Sequence, residues 1–453
     1  MFEKHFKLVE HKTNVRTELM AGLTTFMTMA YILAVNPQIL SVAGMNAGGV
    51  LIATALAATI ACVSMAFMAN LPFALAPGMG LNAYFAYTVV IQMGFTWQAA
   101  LFAVFVEGLI FILLSLTNVR EAIFNAIPLS LKHAVSAGIG LFIAFIGLQN
   151  AHLVVGGPTL VQLTSFSKEF STFGITALLC FIGVIIIAVL SHLKVKGAIL
   201  FGILITWVLG MIMQAIGVYV PNIEQEFYSL YPSWGWPDFA GFGSIFGQAF
   251  NFGAMNLQKV GDFLIVIFAF LFVDIFDTLG TLIGVASKAN MLDEKGRLPK
   301  IKGALMADAI GTTAGAILGT STVTTYVESA SGVAEGGRTG LTALTTGFLF
   351  LIAILLAPIF IAIPAFATGA ALIYVGFLMI SSLLKVNFDD LTEAIPAYLA
   401  AIIMPFTYSI AEGISFGIIS YVLLNMFTGK AKKVSILMYI LALLFILKYI
   451  FLQ

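Results

Sequence analysis

The sequence predicts an all-α polytopic membrane protein, and three observations carry that expectation. Of 453 residues, 60% are apolar and only 9% charged, where a soluble domain carries about a quarter charged residues. The apolar residues fall into long runs, each able to supply the roughly 20 residues that cross a bilayer. Positive charge collects between alternate runs, as it does when loops alternate across a membrane. A soluble enzyme, a disordered chain and a secreted disulfide scaffold are thereby excluded. The 21 Lys and Arg balance 21 Asp and Glu, so no basic excess points to nucleic acid. Cys62 and Cys180 lie in apolar runs and read as small hydrophobes, and the five histidines are scattered. No cofactor or metal is expected from that usage.

Residues 1–18 are polar, with Lys4, Lys7, Lys12 and Arg16. They lack the apolar core and small-residue cleavage site of a signal peptide and read as a retained cytoplasmic segment. Spans are expected near 19–40, 49–69, 74–93, 97–117, 132–151, 173–192 and 197–217. An aromatic, Pro- and Gly-rich outer loop, 218–257, follows, and its Tyr228, Tyr231, Trp234 and Trp236 suit the membrane–water boundary. A second series covers 258–286, 303–319, 321–336, 339–362, 367–384, 393–409 and 411–428. After a basic linker, the apolar run 434–452 is either a further helix or an interfacial one.

With the N-terminus inside, eighteen Lys and Arg fall in inward loops, among them Lys4, Arg120, Lys295 and Arg297, against Lys168 and Lys259 outside. That asymmetry supports fourteen spans. Seven per half makes the halves inverted relative to each other, an arrangement common in secondary transporters. The third span opens with Pro72, Pro77, Gly78 and Gly80, and the tenth with the hydroxyl-rich, β-branched run from Gly319 to Thr325. Such stretches favour extended backbone. Both breaks take the same ordinal place in their half. Non-helical backbone at membrane depth is tolerated where protein or a watery cavity satisfies it. A binding site between the two breaks is therefore favoured over simple kinks in packed helices.

The eighth span carries Asp274 and Asp277, three residues apart and so on one helix face. An acid at a helix centre costs about 2.5–3.5 kcal/mol on insertion scales. That cost favours function over a structural network with neighbouring Ser and Thr. Desolvation and like charge together disfavour two ionised carboxylates, so the pair is a candidate proton carrier. Glu328 follows the extended stretch of span ten, where the free N–H groups of a helix start gather. Asn82 takes the matching place in span three and either meets a ligand or caps a helix start. Glu107 and Glu412 are assigned to structure, while Asp308 fits structure and function equally.

In the proposed spans Lys and Arg occur only within the first two residues, at Lys132 and Lys259, whereas acids, among them Glu107, Asp274, Asp277, Asp308 and Glu328, lie well inside. A neutral substrate rich in N–H donors, or a cation, suits that interior better than an anion. Protons are the natural coupling ion for intramembrane carboxylates. No phosphate-cradling G-x-x-x-x-G-K-[ST] loop is present, so ATP-driven transport in cis is unsupported. An intramembrane aspartyl protease needs aspartates on two facing helices, but Asp274 and Asp277 share one. The Val260-Gly261-Asp262 stretch is weak support for that chemistry, and no enzyme is expected.

The stretches Ala76-Pro-Gly-Met-Gly-Leu-Asn82, Phe272-Val-Asp274-Ile-Phe-Asp277-Thr-Leu-Gly-Thr and Thr324-Thr-Tyr-Val-Glu328-Ser-Ala-Ser-Gly-Val-Ala-Glu-Gly-Gly-Arg338 resemble the nucleobase–cation symporter family. They are most similar to its guanine/hypoxanthine (azaguanine-type) permease branch, over nearly the whole chain. The resemblance implies a core domain from 19–130 and 258–362 and a gate domain from 131–217 and 363–428, with 429–453 as linker and tail. It implies that spans three and ten each pair a short strand with a half helix. Asp274 and Glu328 match the acids that hold the base, and Asp277 a second important acid. Asn82 matches the polar residue of span three, and Asp308 an aspartate of span nine in the wider family. Thr325 is placed with the substrate-binding residues, and Thr278 beside Asp308 in a supporting role. The Gln-His pair and Asn-x-Gly motif of the xanthine/uracil branch are missing, which speaks against xanthine, urate and uracil. Sulfate-type anion permeases share the architecture, but the acidic interior is wrong for an anion.

The expectation is a cell-membrane permease importing guanine and hypoxanthine, with adenine a further candidate, by proton symport and elevator-type alternating access. Its partners are the purine base, the proton and the bilayer, with a homodimer through the gate domain by family analogy. The alternative is a cation channel or metal-ion carrier in which Asp274, Asp277, Glu328 and Asn82 supply the several oxygen ligands that a divalent ion wants.

Overall fold

The computed structural model describes residues 6–117, 127–158, 160–167, 169–222, 225, 227–256, 260–288, 291–292 and 298–451. Lys4, Arg120, Lys168, Lys259, Lys295 and Arg297, all counted in the charge asymmetry, lie outside the described residues. Among the described residues eleven stretches of helix are long and apolar enough to cross a membrane, and two shorter apolar helices accompany them. The chain is a multi-pass helical membrane protein.

Helix α1 (Val15–Met29) begins where the Asn14 side chain accepts the Thr17 N–H at 2.9 Å. It passes into α2 (Ile32–Ser41) through a tight turn at Ala30 and Tyr31, whose carbonyls accept from Leu33 and Ala34. Asn46 caps α3 (Ala47–Ser64), which runs on to Ala69. The third span starts as strand β1 (Leu75–Pro77), turns at Gly78 into α4 (Met79–Ala83), and continues as a wider-wound helix over Tyr84–Gln92. Thr96 caps α5 (Trp97–Leu116). Then come α6 (Leu129–Asn150), α7 (Ile175–His192) and α8 (Ala198–Ala215). Between α6 and α7 lies a hairpin of β2 (Val154–Gly157) and β3 (Leu160–Leu163), which the apolar-run reading does not anticipate.

The loop 218–257 contains a short helix, α9 (Phe239–Ile245), and leaves Trp234 and Trp236 exposed. The second series is α10 (Val260–Lys288), α11 (Ile301–Leu318), strand β4 (Val323–Thr325) with α12 (Ser329–Ala334), then α13 (Gly340–Ala353) and α14 (Ala357–Ile361). The series ends with α15 (Ala365–Ile380), α16 (Leu391–Thr407) and α17 (Ile410–Phe427). The last apolar run forms α18 (Ile436–Phe451), packed along α17. Its Tyr449 hydroxyl donates to Glu412 at the start of α17, and its Phe445 ring lies 5.9 Å from that of Phe268 on α10.

Large apolar side chains turn outward at helical spacing, for example Leu109, Leu113 and Leu116 on α5 and Phe181, Ile185 and Val189 on α7. In water this surface would be a liability, whereas in lipid it is the solvated face. Between helices, packing relies on small residues, as membrane interfaces do. A Cβ on Gly376 of α15 would meet the Gly140 carbonyl oxygen of α6 at 2.4 Å, and one on Gly369 would meet that of Gly147 at 2.8 Å. The two glycine pairs let these helix backbones touch.

Candidate substrate site

The two breaks meet in one antiparallel pair. Leu75 faces Thr325, Ala76 faces Thr324 and Pro77 faces Val323. The ladder extends on both sides, with the Gly78 N–H donating to Thr322 O at 2.9 Å and the Tyr326 N–H to Ala74 O at 3.0 Å. Two short strands thus satisfy each other's backbone groups, which is what tolerates them inside an apolar bundle. Gly78 has a local reason: a Cβ there would lie 2.7 Å from Thr324 Oγ1 and 3.4 Å from Asp277 Oδ2.

Around this pair the acids hold different hydrogen-bonding side chains. Asp274 and Asp277 share a face of α10, as their spacing predicts, yet they serve different neighbours. Asp274, Thr278 and Asp308 are fully buried together, with Thr278 Oγ1 2.9 Å from Asp274 Oδ1 and 2.8 Å from Asp308 Oδ1. Half-buried Asp277 is hydrogen-bonded by Thr324. Glu328, one residue before α12, accepts the Tyr31 hydroxyl at 2.7 Å. Buried Asn82 accepts from the Ser321 hydroxyl, and its Nδ2 is 3.5 Å from Pro77 O. Tyr326 donates to the same carbonyl at 2.5 Å. Asn82 therefore ties its half helix to the other half's extended run. Thr325 is buried at 2% exposure, and its Oγ1 has no hydrogen-bond partner among the described residues.

Glu107 on α5 accepts the Thr322 hydroxyl at 2.6 Å, which anchors the extended run from behind. Glu412 sits in the first turn of α17 and holds Tyr449. No three His, Cys, Asp or Glu are close enough to hold a metal ion among the described residues.

Several participants escape a reading of the sequence. Tyr31 and Ser321 are ordinary residues for a span, and only the break between α1 and α2 aims Tyr31 at Glu328. Glu18 lies at the polar edge of the first span, yet it is fully buried. Its carboxylate accepts the Arg338 N–H at 2.9 Å, the Thr339 N–H at 3.3 Å and the Thr342 hydroxyl at 2.6 Å, organising the start of α13. An acid at a predicted span start, ahead of a Thr-rich run elsewhere, is a weak signal for such a role.

This geometry agrees with relationships across the whole chain. A model of a permease family, Xan_ur_permease, matches residues 16–416. The chain belongs to the nucleobase permease family. This permease is 45% identical to the adenine permease AdeP of Escherichia coli, with 100% of this chain and 97% of that protein covered. It is 44% identical to the guanine/hypoxanthine permease PbuG of Bacillus subtilis, over 99% of each. In fold it resembles the transmembrane domain of the cyanobacterial bicarbonate transporter BicA, at a TM-score of 0.63 and 18% identity, covering 88% of this chain and 97% of that domain. A permease, not an enzyme, is what the family and its members describe.

Proposed function

We propose that this permease imports purine nucleobases, with guanine, hypoxanthine and adenine as candidate substrates, by proton symport across the cell membrane. The observation that carries the reading is full-length identity of 44–45% to permeases named for those bases. The site supports it chemically. A carboxylate can accept parallel hydrogen bonds from guanine N1–H and the 2-amino group, a strong charge-assisted geometry. Glu328 and Asp274 hold the base in this reading, with Asn82 and the free Thr325 hydroxyl beside them. Asp277 and Asp274 carry the proton, and Asp308 and Thr278 support them.

The eleven long stretches, α16 and the two strand-and-half-helix units match in order the fourteen expected crossings. That layout supports a seven-plus-seven inverted repeat, and the Lys and Arg bias of the loops supports an N-terminus inside. Core (19–130 and 258–362) and gate (131–217 and 363–428) then move against each other as an elevator, the gate also forming a homodimer.

Uptake of labelled guanine, hypoxanthine and adenine into cells lacking their own purine transporters tests the reading. Saturable uptake that rises as external pH falls and collapses with a protonophore is expected. No saturable uptake of any of the three sinks the substrate assignment, and accumulation that follows a sodium gradient instead overturns the proton.

A further inference from the structure

Thr278 has one hydroxyl proton, yet its oxygen lies within hydrogen-bond distance of two carboxylates, on α10 and α11. A hydroxyl donates once and otherwise accepts. Only one of the two aspartates can therefore receive the Thr278 proton. The other contact, 2.8–2.9 Å from oxygen to oxygen, becomes a hydrogen bond only when that carboxyl is itself protonated and donates to Oγ1. All three side chains are 0% exposed, and two ionised carboxylates so buried and so close would repel at a cost.

We propose that Asp274, Thr278 and Asp308 hold one proton between them and that the Thr278 hydroxyl passes it from one aspartate to the other. The transfer balances. The Asp308 O–H bond breaks as a new O–H bond forms on Thr278 Oγ1, while the original Thr278 proton moves to Asp274 Oδ1. Thr278 ends neutral, and one unit of negative charge has moved from Asp274 to Asp308. The charge of the acid facing the base is thus set by an aspartate on the next helix that needs no contact with the base. Asp277, engaged by Thr324, lies beside this three-residue cluster and remains the second proton carrier of the proposed symport. Of the other titratable groups nearby, Asp277 interacts electrostatically with Asp308, and Glu328 and the hydroxyls of Tyr31 and Tyr326 interact in turn with Asp277.

This inference rests on the proposed purine–proton symport, and its test separates the two. Wild type, Thr278→Val, Thr278→Ser and Asp308→Asn are reconstituted in vesicles. Purine exchange, which needs no net proton movement, is measured beside purine-driven proton entry followed by an internal pH dye. In Asp308→Asn the amide keeps a donor to Thr278, so exchange persists at a reduced rate while proton entry falls at least tenfold. Thr278→Val loses proton entry to the same degree, and Thr278→Ser restores it. Proton entry per purine that stays at the wild-type value in both Asp308→Asn and Thr278→Val overturns the relay. If Asp308→Asn does not reach the membrane, the Val and Ser pair decides alone: loss in Val with rescue in Ser supports the relay, and equal proton entry in both overturns it. Wild type that exchanges no purine refutes the proposed substrate, and wild type that takes up purine without proton entry refutes the coupling and the relay together.

Discussion

In the proposed site Glu328 is already engaged, because the buried Tyr31 hydroxyl donates to one of its oxygens at 2.7 Å. A hydrogen bond to a charged group contributes about 1.5–3 kcal/mol, on the order of ten- to a hundredfold in affinity. Tyr31→Phe should therefore raise the KM for purine uptake by that order, with protein abundance at the membrane unchanged on a blot. Glu328→Gln and Asp274→Asn should abolish uptake while the protein still reaches the membrane. Glu107→Gln should instead lower abundance, since its carboxylate anchors Thr322. Normal transport by Glu328→Gln at normal abundance would mean that the base sits elsewhere. At this scale the acids were legible because a carboxylate in an apolar run is costly enough to stand out. Their partners were not. A Tyr or a Ser in a span is unremarked by composition, and which side chains Asp274 and Asp277 each meet depends on which helix packs where.

Helix boundaries and breaks could be read from the chain because their causes are local: Asn46 and Thr96 cap, and Pro72, Pro77 and Gly78 deny helix to the third span. The β2–β3 hairpin could not, since its four-residue strands are too short for periodicity to register. Contacts between helices are also invisible to periodicity, and the glycine pairs of α6 and α15 show what rests on them. Gly376→Ala pushes a Cβ to 2.4 Å from the Gly140 carbonyl oxygen, so backbones must part. Overpacking of this kind costs about 1–3 kcal/mol. A lower melting temperature in detergent is expected, while Gly243→Ala, with nothing within 4 Å, should leave it unmoved. Outside the membrane, Asp390 caps α16. The Thr392 hydroxyl first, and then Lys430 at 3.0 Å, hold its carboxyl down to about 2 from the usual 3.8. The lowered value means its stabilising contribution is complete above about pH 4 and fades as pH falls towards 2. Melting curves of wild type and Asp390→Asn should differ at neutral pH and converge across that window. A gap that persists at pH 2 would assign the effect to something other than the charge.

At the scale of the molecule, among the described residues one ion pair joins the proposed core and gate: Lys196, between α7 and α8, meets Glu335 at the end of α12 at 2.6 Å. Such an exposed pair contributes about 0–1 kcal/mol, light enough to break and reform in every cycle. With Cys at both positions, a bifunctional thiol reagent should arrest uptake if core and gate move against each other, and a cleavable version should release it on reduction. Cys62 and Cys180 are buried and should not compete for the reagent. Uptake unaffected by complete cross-linking would exclude that movement. The multi-pass helical character was open to sequence reading because hydropathy reports each apolar run in turn. The joining of the halves was closed to it, because strand pairing is a relation between distant residues and leaves no local trace. That pairing also has a history within each molecule. Thr325 leaves the ribosome 250 residues after its partner Leu75, roughly 12–50 s later at about 5–20 residues per second. For that interval the first strand has no ladder, and its open N–H and C=O groups must be kept from lipid by water, by the insertion machinery or by a chaperone. The permease is therefore most vulnerable to quality control while half made, and a nascent chain stalled before the second strand is the form that proteases should recognise.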